Sequence, residues 1–165
     1  PWRLPAFRDP KPGDVVIFQY PLDTERDFIK RVVAGPEQTI EIRNKILFVD
    51  RKRTIDPPHS KYSDPNILRR SNLNAKRDNY GPVIVPPNHF FMMGDNRDNS
   101  EDSRNWGFLP HNLIKGKATI VYMSWTPDPD SPEYTSLSSI HKILSHNLFR
   151  FHERVRWTRV GTLVQ

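Results

Sequence analysis

Apolar and polar positions alternate or cluster in strand-length pieces along the first fifty residues. Asp14-Val15-Val16-Ile17-Phe18-Gln19-Tyr20 is an apolar run of strand length, introduced by the turn residues Lys11-Pro12-Gly13 and stopped by Pro21. A second strand is predicted over 27–34, closed by Gly35-Pro36. Residues 38–42 alternate, with Ile40 and Ile42 on one face, and Arg43-Asn44-Lys45 can turn the chain into Ile46-Leu47-Phe48-Val49 as a hairpin. From 51 to 80 the pattern dissolves into Pro, Asn, Ser, Asp and Arg, which reads as a solvated loop or small insert. Order resumes at Val83-Ile84-Val85 and at His89-Phe90-Phe91-Met92-Met93, and a strand is predicted over 117–125. Leu137, Ile140, Leu144 and Leu148 fall at helical spacing within 136–148, and 155–160 reads as a last strand.

The composition narrows the class. Sixteen prolines in 165 residues is about twice the usual share of roughly 5%, a density that interrupts long helices and central strands. A helical bundle is excluded, and nine Phe, five Tyr and four Trp are ample for one compact core. The expected fold is mainly β: an antiparallel β-sheet domain with a small basic insert and a short C-terminal helix. Its domain division is 1–43 with 81–165 as one discontinuous β domain, and 44–80 as a variable insert. With no cysteine, disulfides, thiolate nucleophiles and Cys-ligated metals are excluded. The six histidines are scattered; only His141 and His146 are near each other, five apart and without a glutamate partner. Neither a metal site nor a cofactor is expected. No apolar run approaches the roughly 20 residues needed to cross a bilayer.

Net charge is +6 from 25 Lys and Arg against 19 Asp and Glu, and it is unevenly placed. Residues 43–78 hold ten basic and four acidic side chains and residues 142–165 hold five and one, while the remainder is slightly acidic. Such an excess fits an anionic surface, either nucleic acid or lipid. The recognised RNA-binding aromatic motifs are absent, so no nucleic-acid partner is expected.

Two segments carry candidate chemistry. In the strand over 27–34, Lys30 shares a face with Phe28 and Val32, while Arg31 lies opposite with Ile29 and Val33. A lysine between apolar neighbours either snorkels to water or is desolvated, which lowers its pKa and lets it serve as a general base. The second segment is Gly94-Asp95-Asn96-Arg97-Asp98-Asn99-Ser100-Glu101-Asp102-Ser103-Arg104, followed by Asn105-Trp106-Gly107. An EF-hand reading fails, because from Asp95 the third position is Arg97 and the sixth is Ser100. The plain reading is a loop cross-linked by its own Asp–Arg pairs, able also to buttress a site.

Gly13-Asp14-Val15-Val16-Ile17-Phe18, Lys30-Arg31-Val32-Val33-Ala34-Gly35, the run from Gly94 to Arg104, and Trp106-Gly107 occur in this order. Together they resemble the successive motifs of bacterial type I signal peptidases, over about 10–43 and 81–125. The resemblance implies a serine endopeptidase with a Ser/Lys dyad that removes signal peptides from exported preproteins. It implies an all-β catalytic domain at the outer face of the bacterial cytoplasmic membrane. It makes Lys30 the general base and Ser100 the hydroxyl that orients its amine, with Arg31, Asp95, Asp102 and Arg104 bracing the site. Asp27, Phe28 and Ile29 would lie along an extended substrate. The expected partners are signal-peptide-bearing preproteins and an anionic membrane surface facing the two basic segments. One departure stands out: the family's nucleophile lies in a serine–methionine–x–proline motif upstream of the Gly-Asp strand, and no serine precedes Ser60. Truncation and an inactive homologue both account for this, and the intact Lys30 and 94–104 motifs favour truncation. On either account the chain by itself is expected not to cleave. The alternative outside this family is a basic nucleic-acid- or membrane-surface-binding module without catalysis.

Overall fold

The computed structural model describes residues 8–72, 74–122, 124, 126, 140 and 151–164. Two compact units are present, Pro1–Ala118 and Thr119–Val164. Antiparallel pairing dominates the first. One sheet of five strands contains β1 (Val15–Tyr20), β2 (Asp23–Ala34), β7 (His89–Met93), β8 (Leu109–Pro110) and β9 (Ile114–Lys117), in the order β8-β7-β2-β1-β9. The second is built from β3 (Thr39–Arg43), β4 (Ile46–Val49), β5 (Lys52–Arg53) and β6 (Tyr80–Ile84), in the order β5-β4-β3-β6. A mainly β, antiparallel fold is thus what the chain forms.

Several elements follow directly from the residue pattern. The β3–β4 hairpin pairs Ile40 with Val49 and Ile42 with Leu47. Asn44 and Lys45 turn it with φ of 50° and 69°, the left-handed pair a two-residue hairpin requires. The unbroken run Phe90-Phe91-Met92-Met93 is explained by its position. Phe91 and Met93 enter one core cluster with Val33, Ala34, Ile40, Ile42, Leu47 and Val85, while Phe90 and Met92 enter the other with Val16, Phe18, Val32 and Leu109. A strand with core on both faces needs no polar positions.

Other elements differ from the pattern. β2 begins four residues earlier than predicted, at Asp23, because the polar stretch before Asp27 pairs back on Tyr20 through an irregular register. The strand predicted over 117–125 ends where it was expected to begin. Ile114–Lys117 is the strand, pairing Phe18 with Ile114 and Val16 with Lys117. Gly116 and two lysines hid it from a hydrophobic count, yet Lys115 Nζ lies 2.7 Å from Asp27 and Lys117 Nζ 2.6 Å from Asp14. In the second unit the predicted strand over 155–160 is instead a 3-10 turn (Trp157–Arg159), following a short helix α2 (Phe151–Arg154). Ile120 forms an isolated antiparallel bridge with Leu163 there. The helix predicted over 136–148 lies outside the described residues, Ile140 excepted.

Candidate active site

Lys30 sits at a change of environment along β2. Asp23 to Ile29 are exposed or half-buried, and Arg31 to Ala34 are buried. Its amine donates to Ser100 Oγ at 3.1 Å and lies 5.6 Å from the centre of the Phe28 ring. Burial pushes the Lys30 amine below its ordinary pKa; Asp102 and Glu101 oppose the shift and Arg104 adds to it. A desolvated amine that is neutral over more of the pH range can accept a proton from a hydroxyl. Among the described residues, Ser100 is its hydrogen-bond partner.

Ser100 reaches this position because the chain at Gly94 runs against it. A Cβ built on Gly94 would collide with Ser100 Oγ, come within 2.8 Å of Ser100 Cβ, and lie 3.5 Å from Lys30 Nζ. Only a residue without a side chain lets β7 end under the loop. Gly94 is further pinned by its N–H, which donates to Asp102 Oδ2 at 3.1 Å. Asp102 is fully buried. It caps α1 (Ser103–Trp106) by accepting from the Arg104 N–H, and it also accepts from Arg104 Nε at 2.8 Å and Nη2 at 2.7 Å. Ser103, buried beside it, accepts from the Met92 N–H through Oγ at 2.8 Å. The end of β7 and the start of α1 are thereby locked together, and the Lys30–Ser100 hydrogen bond spans the gap above them.

Arg31, on the opposite face of β2 from Lys30, forks onto Asp95 with Nε–Oδ1 at 2.9 Å and Nη2–Oδ2 at 2.8 Å, and donates to the Gly13 carbonyl at 2.7 Å. Each partner stabilises the other's charged form: the Asp95 carboxyl is held below its ordinary pKa and the Arg31 guanidinium above its own. Of the residues singled out by sequence, Lys30, Ser100, Asp102, Arg104, Arg31 and Asp95 are brought together. Phe28 stacks on Tyr20 with ring centroids 4.5 Å apart. Ile29 is 56% exposed, and Asp27 is engaged by Lys115 at 2.7 Å.

The loop over 94–104 is not cross-linked mainly to itself. Only Asp102–Arg104 is an internal ion pair; the other charges reach outward. Arg97, buried, pairs with Asp56 at 3.0 Å, and Asp98 accepts from Lys45 Nζ at 2.8 Å and from the Asp64 N–H at 2.8 Å. Lys61 and Asn96 form a parallel bridge, with Lys61 N–H donating to the Asp95 carbonyl at 2.7 Å. Fully buried Asp78 is paired with Arg77, whose carbonyl in turn accepts from Arg104 Nη1 at 2.8 Å. The stretch over 51–80 is therefore no purely solvated loop. It contributes carboxylates and carbonyls that satisfy the site's buried cations. Lys45, Asp56, Asp64, Arg77 and Asp78 escaped sequence reading, because none lies in a motif and, Arg77–Asp78 apart, their ion pairs join residues 13 to 53 positions from one another. Arg97 and Asp98 were in view, but not their partners. The one available signal was the density of paired charge types in an otherwise patternless segment.

Comparison with known proteins follows the same residues. The family model described as signal peptidase, peptidase S26, matches residues 3–125. Signal peptidase I of Pseudomonas aeruginosa is 35% identical over 162 residues, which cover 81% of this chain and 57% of that protein. A probable signal peptidase I-1 of Synechocystis is 31% identical over 163 residues, covering 94% of this chain and 62% of its own. The crystal structure of a signal peptidase I from Enterococcus faecalis V583 superposes with a TM-score of 0.54 at 21% identity, over 69% of this chain and all of that one; at that identity the likeness concerns the fold. This chain spans somewhat more than half the length of the curated relatives it matches.

Proposed function

The chain belongs to the signal peptidase family, peptidase S26, and we propose that it forms the β catalytic domain of a signal peptidase I. In this reading it is a serine endopeptidase that removes signal peptides from preproteins at the outer face of the bacterial cytoplasmic membrane. The observation that carries the reading is the half-buried Lys30 amine, lowered in pKa and held 3.1 Å from Ser100 Oγ, within a fold and a motif order shared with the family. Lys30 is the general base, and Ser100 keeps its lone pair aimed at the nucleophile. Residues 1–59 contain no serine, and the nucleophilic hydroxyl is not assigned to a residue of this chain.

The chemistry divides into two steps. Neutral Lys30 takes the proton of the nucleophilic serine as its oxygen bonds to the carbonyl carbon after a small residue. The C–N bond then breaks, the proton passes from Lys30 to the leaving amine, and an acyl-enzyme remains. A water deprotonated by Lys30 attacks the ester and regenerates both groups. Asp27, Phe28 and Ile29 are the strand positions beside which an extended substrate would lie, with its backbone paired to β2 and its side chains in shallow apolar hollows. The exposed Arg51, Lys52, Arg53, Arg69 and Lys76 face the anionic membrane surface, adding roughly 1 kcal/mol each when close to it.

The test is precursor cleavage by this chain fused behind a segment that carries a serine–methionine–x–proline motif. Lys30→Met is expected to abolish turnover, and wild-type activity should rise with pH through a lysine titration lying below 10.5. A Lys30→Met protein that still cleaves would sink the assignment.

A further inference from the structure

The outer face of the second sheet holds a groove of about 900 Å³, on a different sheet from Lys30 and Ser100. This is near the upper end of the volumes that ligand sites occupy. Its floor is apolar: Phe48 from β4, Pro82 and Ile84 from β6, and Phe108 line it. Ile84 is 66% exposed, and an apolar strip left open on a polar surface marks a binding face. Its rim is basic. Arg43 lies over the Phe48 ring at 4.1 Å and is paired with Glu41 at 3.3 Å, to which Arg70 also reaches at 3.8 Å. Glu41 is thus neutralised twice over. Arg51 lines the groove, and Arg53, paired across the ladder with Phe48, shares that face. Both are exposed and make no ion pair among the described residues.

We propose that this groove binds an anionic phospholipid, with one acyl chain along Phe48, Pro82 and Ile84 and the phosphate held by Arg51 and Arg53. Charge complementarity selects an anion, since two guanidiniums are in surplus and the one carboxylate is spent. The floor selects a hydrocarbon. Thr39, Glu41 and Arg43 belong to β3, the strand flanked by β4 and β6, whose backbone groups are already used in ladders on both sides. A peptide laid over it would leave its own backbone polar groups without partners, whereas an acyl chain has none to satisfy. A single chain and a small basic cluster are each weak anchors and become adequate together. The inference rests on the membrane-surface reading above but adds to it a defined seat for one lipid molecule.

The experiment titrates the 165-residue chain with lysophosphatidylglycerol below its micelle concentration, using calorimetry, against lysophosphatidylcholine and inorganic phosphate. Saturable binding of the anionic lysolipid at one site is expected, with lysophosphatidylcholine and phosphate each at least about tenfold weaker. Ile84→Ser and the Arg51→Gln/Arg53→Gln double variant, all at exposed positions, should each weaken binding about tenfold or more. Phosphate binding as tightly as the lysolipid, an Ile84→Ser affinity unchanged from wild type, or a groove-mediated dimer that lysolipid fails to dissociate would each overturn the proposal. General attraction to anionic vesicles is blind to Ile84→Ser, and Lys30→Met should leave lysolipid binding intact. A failure here is thus separable from a failure of the membrane or protease readings.

Discussion

Along β2, the residues from Asp23 to Ile29 meet solvent, whereas those from Arg31 to Ala34 are covered on both faces. The first half pairs with β1 alone, and the second half pairs with β7, with Val15 and the Gly13-Asp14 turn beside Arg31 and Val32, and core clusters above and below. Lys30 stands at the junction. One position earlier, a lysine would stand largely in solvent; one position later, it would be sealed off from any substrate. A general base needs partial desolvation together with access, and a strand that passes from surface to core supplies both at one residue. The same junction separates two kinds of stabilisation. The core half is held by apolar packing, and the loop beside the site by buried charged groups and the partners that satisfy them.

The largest expected effect tests that second kind. Asp102→Ala removes a fully buried carboxylate that accepts from Gly94 N–H, Arg104 N–H and the Arg104 guanidinium. Leaving the Arg104 charge buried and unpaired should cost about 3–5 kcal/mol in urea unfolding. A loss below 1 kcal/mol would mean that the loop does not depend on this carboxylate, and the contrast between core and loop would fail.

A smaller and more local effect is expected at Gly94. Gly94→Ala forces a methyl into Ser100, at a cost of about 1–3 kcal/mol, and should break the Lys30–Ser100 hydrogen bond. Reductive ¹³C-methylation followed by NMR can read the Lys30 titration directly. In the wild type its resonance should titrate below 10.5, and in Gly94→Ala its midpoint should move. Unaltered titration with normal stability would show that Ser100 is not seated by the close approach at Gly94.

The smallest effect, and one of opposite sign, belongs to Lys30→Met. Since the folded-state pKa of Lys30 is depressed, the folded protein binds fewer protons than the unfolded chain between that pKa and 10.5. Wild-type stability should therefore gain as pH rises through this window, and the burden of the buried ammonium is fullest below it. Lys30→Met is expected to raise the unfolding midpoint slightly at neutral pH, with the advantage shrinking toward pH 10. A midpoint that falls would identify Lys30 as a structural lysine and not a base held at a cost.

Much of this was legible from residues alone. The alternation of Ile40 and Ile42 and the turn at Asn44-Lys45 led to the β3–β4 hairpin, and the unbroken 90–93 run reads as a strand, which the structure shows buried on both faces. The motif order led to the family. Local pattern drew attention to Lys30 and to the charge-dense 94–104 segment, and the resemblance to the family then pointed to Ser100, Asp95, Asp102, Arg104 and Arg31. β9 was misplaced because its outward positions carry lysines, whose carboxylate partners Asp14 and Asp27 lie some ninety to a hundred residues earlier. Periodicity reports which face a residue takes, and says nothing about which distant group will neutralise it.

Sequence by itself determined the mainly β architecture and the family, and it brought Lys30 forward as the candidate base, since these depend on local periodicity and on contiguous motifs. Tertiary structure alone decided that Lys30 is half-desolvated, that its amine lies 3.1 Å from Ser100 Oγ, and that the patternless 51–80 stretch supplies the Asp56 carboxylate to Arg97, the Asp64 N–H to Asp98 and the Arg77 carbonyl to Arg104. Desolvation and ion pairing are properties of the space around a side chain, and that space is filled by residues from elsewhere in the chain.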